Sequence, residues 1–110
     1  MAQGGAVLAW DSQTAIGSGR FRLEPDFLYI GRLAVLPEHR GAGVGRAMMD
    51  FMEHVAVERQ LAEIHLTVRM MLPQNLHFYE NMGYSMLEIE MHPRGGDQVA
   101  NLVKHLKVAL

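Results

Sequence analysis

Residues Leu33–Gly45 read L-A-V-L-P-E-H-R-G-A-G-V-G. An apolar, strand-like run ends at Pro37, a basic turn follows with glycines at 41, 43 and 45, and a helical pattern opens from Val44. Strand, loop and helix start are therefore in series. The first amides of a helix lack intrahelical partners and carry partial positive charge, so such an end binds anions, phosphates above all. Glycine at alternate positions lets a ligand approach the backbone and lets φ turn positive. Arg40 adds a cation at the mouth. Two better-known glycine loops fail here. A P-loop needs Lys-Ser or Lys-Thr after its last glycine, where this chain has Arg46 and Ala47. A dinucleotide fingerprint starting at Gly43 wants glycine or alanine at 48, which is Met48.

Working outward, Phe27 to Leu36 forms the most apolar run, with Phe27, Tyr29, Leu33 and Val35 expected on one face and Leu28, Ile30, Ala34 and Leu36 on the other. Both faces then look covered, which places the strand centrally. Before it, Ala6–Trp10 and Thr14–Leu23 flank Asp11-Ser12-Gln13 as a hairpin. After it, Val44–Gln60 spaces Val44, Ala47, Met48, Phe51, Met52 and Val55 as an apolar helix stripe, with Arg46, Asp50, Glu53, His54 and Glu58 outside. Leu61–Val68 alternates as a strand, giving a strand-helix-strand crossover with the two strands parallel. Pro73–Met82 reads as a short helix stopped at Gly83. Tyr84–His92 and Val99–Leu106 close the chain as a hairpin across Pro93–Asp97.

Composition narrows the class. The chain of 110 residues suits one core and one domain, and 49% hydrophobic with 20% charged residues is ordinary for a globular fold. The absence of cysteine excludes disulfides, thiolate metal sites and a Cys nucleophile. A net charge of −2 without a basic stripe argues against nucleic acid as a partner. No apolar run is long enough for a membrane span and no leader is evident, so a soluble, cytoplasmic protein is expected. The six histidines show no His-x-His or His-x-x-x-His spacing, and no metal is expected. The nine methionines read as adaptable core or interface filler.

Two motifs in order carry a resemblance. Arg40, Gly43 and Gly45 fill R/Q-x-x-G-x-G/A behind an L-x-V-x-P of Leu33, Val35 and Pro37. Phe78-Tyr79-Glu80-x-x-Gly83-Tyr84 follows. In both the chain resembles the GNAT N-acetyltransferase superfamily, from about Ala6 onward. The resemblance implies an α/β (α+β mixed-sheet) acyl-CoA N-acyltransferase fold over residues 1–110. That fold is shortened at the start, without the family's usual first strand and two helices. It implies acetyl-CoA as cofactor, with backbone groups of Leu33, Ala34 and Val35 on the pantetheine amides. Arg40, Gly41, Gly43, Val44, Gly45 and Arg46 would hold the pyrophosphate. Asn75 is the candidate for the family's CoA-touching asparagine, whose commonest position is Leu72 here.

For chemistry, the resemblance implies direct attack by a primary amine of a small molecule or protein in a ternary complex. Tyr79 would protonate the leaving thiolate as general acid. The general base stays open. The family's carboxylate position is Thr67, which cannot serve, and His65, Glu88, Glu90, His92 or a water chain are the candidates. A non-catalytic acyl-CoA-binding or interaction module is the alternative. An exposed first strand recruits another chain, so a homodimer is expected.

Overall fold

The computed structural model describes residues 3–91 and 94–107, Gln3 by its backbone only. Six strands and two helices follow one another as β1 (Gln3–Asp11), β2 (Thr14–Leu23), β3 (Phe27–Val35), α1 (Val44–Glu58), β4 (Glu63–Arg69), α2 (Pro73–Glu80), β5 (Ser85–Met91) and β6 (Gln98–His105). They form one mixed sheet in the order β1-β2-β3-β4-β6-β5. Only β3 and β4 run parallel, as a helical crossover between neighbouring strands requires. The expected last strand ended at His92, which with Pro93 lies outside the described residues. The α+β mixed sheet, its crossover and its closing hairpin are present as expected.

The core sits on one side. Leu28 and Ile30 of β3, Ile64, Leu66 and Val68 of β4, and Ala100 and Leu102 of β6 pack with Met49, Met52 and Ala56 of α1 and with Met82 and Tyr84 after α2. Leu76, Phe78 and Tyr79 of α2 pack against the same cluster, so both helices cover the same face. Gly17 and Gly19 of β2 let α1 lie close. A β-carbon on Gly17 would come within 2.9 Å of Met48 Cε, and one on Gly19 within 3.2 Å of Met52 Cε. Two expectations are corrected here. The helix stripe is rotated toward Met48, Met49, Met52 and Ala56, leaving Phe51 51% exposed. Glu53 turns inward instead, where Lys104 Nζ (2.8 Å) and the Tyr84 hydroxyl (3.0 Å) donate to its two oxygens.

The second correction concerns β3. Arg20 pairs with Arg32 and Phe21 with Ile30, so Gly31 is an extra residue, a β-bulge. The bulge shifts the alternation by one. Leu33 and Val35 join Leu28 and Ile30 toward α1, while Ala34 and Leu36 are exposed on the opposite face. That face carries no helix among the described residues, so the expected two-sided cover is absent. Leu8 and Trp10 of β1 are also exposed there, Trp10 at 59%.

Candidate active site

The bulge has a second effect. β3 pairs with β4 only over Phe27–Ile30 against Glu63–Leu66, and past that point the strands part. β4 continues with β6 as its partner, Thr67 opposite Asn101. The end of β3 continues with β2, Val35 opposite Gly17. Leu36 N donates to Ile16 O at 2.9 Å, so by alternation the peptide groups of Leu33 and Val35 face away from β2, into the opening. Those of Ala34 face β2. Arg40 Nε donates to Val35 O at 3.2 Å, folding the arginine over the strand end.

The loop completes the opening. After a 3₁₀ turn at Pro37–His39, Gly41 (φ +82°) and Gly43 (φ +86°) adopt the left-handed conformation, and Gly43 is the N-cap of α1. Ala47 N donates to Gly43 O at 3.0 Å and begins the helical ladder, leaving the amides of Val44, Gly45 and Arg46 as the unpaired first turn. No side chain caps this end and no acidic residue lies in its first turn. A β-carbon at Gly41 or Gly43 would meet nothing within 4 Å, so these positions are open as well as left-handed. Gly45 differs. A β-carbon there would stand 3.3 Å from Phe78 Cζ, so this glycine lets α2 approach the start of α1. The set fits an anionic, amide-containing ligand: unpaired helix amides for charge, then strand peptide groups of Leu33 and Val35 that face away from β2 for an extended chain, the Val35 carbonyl already accepting from Arg40.

Tyr79 lies on the same face. Its ring is half-buried edge-on between Phe78 (centroids 5.0 Å apart) and Tyr84 (5.9 Å), and burial raises its pKa above the ordinary 10.0. The phenol therefore keeps its proton at neutral pH. Gly83, at φ +96°, turns the chain out of α2, and Tyr84 N donates to Tyr79 O at 3.1 Å. Burial, then the carboxylate of Glu53, raises the Tyr84 pKa far more. Asn75 stands exposed in the first turn of α2, and Leu72 is that helix's N-cap.

Of the open base candidates, His65 Nε2 is 2.8 Å from Glu63 Oε1, and the imidazole stacks on Phe27 at 4.2 Å. Thr67 is instead the hub of a network on the helix-free face. The Tyr29 hydroxyl donates to Thr67 Oγ1 (3.0 Å), and Thr67 donates to Asn101 Oδ1 (2.7 Å). Asn101 Nδ2 donates to Glu88 and Glu90 (3.1 Å each). Sequence reading named neither Tyr29 nor Asn101 for chemistry. The available signal was a carboxamide standing among the apolar residues of V-A-N-L-V. Beside the mouth, Leu8, Ser18, Ala34, Leu36, Pro37 and Arg40 line a groove of about 390 Å³.

A family model described as "Acetyltransferase (GNAT) family" matches residues 1–84. An uncharacterized N-acetyltransferase of Bacillus subtilis (strain 168), YjcF, is 30% identical over 81 residues, which are 74% of this chain and 56% of that protein. The crystal structure of nourseothricin acetyltransferase superposes with a TM-score of 0.86 at 24% identity, over 93% of this chain and 65% of that one. The NatC complex bound to Gag peptide and CoA superposes with a TM-score of 0.84 at 21% identity, over 93% of this chain and 71% of that one. The chain thus spans less than two thirds of the length of YjcF and of nourseothricin acetyltransferase.

Proposed function

The chain belongs to the GNAT acetyltransferase family, and from that premise we propose that it moves an acetyl group from acetyl-CoA to a primary amine of a small molecule or a protein. The observation that carries this reading is the series formed by the bulge at Gly31, the parted strands and the uncapped start of α1. Backbone amides of Gly41, Gly43, Val44, Gly45 and Arg46 hold the diphosphate, with Arg40 and Arg46 as nearby cations. Leu33 and Val35 offer their peptide groups to the pantetheine amides, with Ala34 completing that strand segment, and Asn75 contributes from α2. The bound cofactor supplies the activated acetyl group as a thioester. The Tyr79 phenol, kept protonated by burial, delivers a proton to the departing sulfur. Neutral phenol and anionic thiolate are the pairing that general acid catalysis needs.

Assembly as a homodimer in the cytoplasm is part of the same proposal. β1 is an edge strand of the sheet formed by the described residues, and its Leu8 and Trp10 are exposed large apolar side chains, the kind of surface that recruits a second chain. Light scattering at micromolar concentration is expected to give twice the monomer mass. The activity is tested by titrating acetyl-CoA in a calorimeter, then following thiol release with a panel of amines. Saturable binding with amine-dependent release is expected. Binding without release from any amine would favour the acyl-CoA-binding module, and absence of binding would refute both.

A further inference from the structure

Resting on that reading, we infer that Asn101 is a positioning residue for the acceptor amine, and that Thr67 and Tyr29 are the groups the amine nitrogen touches. Tyr29 and Thr67 flank the last residues that pair β3 with β4, Ile30 and Leu66. Their hydrogen bond therefore bridges the two strands just where the opening begins, on the face that no described helix covers. Ile30 and Leu66 are buried toward α1, so an acceptor coming from the helix-free side meets the two hydroxyls first.

The direction of the bonds gives the network its chemistry. Each hydroxyl donates along the network, Tyr29 to Thr67 and Thr67 to Asn101, and the Asn101 amide donates to both carboxylates. The Tyr29 oxygen is then left with lone pairs and no proton to offer toward the opening. It can only accept there. Bonds aligned in one sense polarise one another, so two anions at the far end enrich the near oxygen. The Arg22 guanidinium lies over the Tyr29 ring, 4.8 Å from its centroid, and is itself paired with Glu24.

During transfer the amine nitrogen forms a bond to the acetyl carbon and becomes cationic, the carbon–sulfur bond breaks, and the sulfur takes its proton from Tyr79. The nitrogen loses its extra proton to water, which returns Tyr79 to its neutral form through solvent. An N–H bond aimed at an electron-rich hydroxyl gains most as that positive charge appears, so the contact favours the transition state over the bound amine. Glu88 and Glu90 thus supply from β5, through Asn101 of β6, the negative charge that Thr67 lacks.

The test compares Thr67→Val, Thr67→Ser and Asn101→Leu with the wild-type protein in steady-state thiol release. n-Butylamine, spermidine and an alanyl peptide with a free N-terminus serve as acceptors. Acetyl-CoA binding is measured by calorimetry and folding by thermal melting. Thr67→Val and Asn101→Leu are expected to lower kcat by up to about a hundred-fold, the cost of a misplaced nucleophile, with acetyl-CoA affinity changed less than about two-fold. Thr67→Ser restores most of the loss. Variants that turn over as the wild type does, or that lose acetyl-CoA affinity in step with kcat, overturn the inference while leaving the proposed activity standing. A wild-type protein that binds acetyl-CoA but acetylates none of the three amines refutes the inference together with that activity.

Discussion

Replacing Gly43 with alanine isolates the conformational demand of the loop, because a β-carbon there would touch nothing within 4 Å. The cost is then backbone alone. At φ +86° and ψ 6° an L-residue pays about 1–2 kcal/mol for the left-handed conformation. For 110 residues, with an unfolding entropy of about 2.1 cal/mol/K per residue, that lowers Tm by roughly 4–9 °C. Gly45→Ala is the matched control, since Gly45 is helical and its neighbours are side chains. There a gain of about 1 kcal/mol in helix propensity offsets a contact of 3.3 Å with Phe78 Cζ. Its melting temperature should therefore stay near that of the wild type. Differential scanning calorimetry on the three proteins, with and without CoA, decides. A Gly43→Ala protein that melts with the wild type would refute the left-handed loop, and with it the aim of the amides that follow.

Tyr79→Phe should bind acetyl-CoA as the wild type does and lose kcat by about 10²-fold, the lower end of a general acid's contribution; steady-state kinetics beside calorimetry separate the two. Glu53→Gln weakens the charge-assisted bond from Lys104, whose side chain is 26% exposed, and should cost about 1–3 kcal/mol in urea unfolding, without a comparable fall in cofactor affinity. The Glu63 carboxyl, held down chiefly by its hydrogen bond to His65, should titrate below its ordinary 4.5 when followed by carbon NMR. Because the folded value is the lower one, its contribution to stability is present above pH 4.5 and is lost as pH falls through the folded pKa. His65→Ala should return the midpoint toward the ordinary value.

The motif at Leu33–Gly45 made the crossover legible, since an apolar strand, a glycine turn and a three-and-four-residue pattern leave few other topologies. Periodicity could not fix the helix rotation. Phe51 and Glu53 stand on opposite edges of the stripe, on either side of Met52, and Glu53 turns inward because Lys104 and Tyr84, 51 and 31 residues away, satisfy it. Nor could alternation reveal the bulge, because Gly31 only shifts the count and the shift shows when Arg32 is seen opposite Arg20. The polar network was hidden for a related reason. Tyr29, Thr67, Asn101, Glu88 and Glu90 come from four strands, and only the sheet order, with β6 inserted between β4 and β5, brings them together.

The most direct measurement is an amide NMR titration of the ¹⁵N-labelled protein with CoA. The largest shifts are expected at Gly41 and Gly43 to Arg46, with Leu33 and Val35 following and the remote β5–β6 hairpin unmoved. Binding that left those amides in place and shifted resonances on another face would contradict the account.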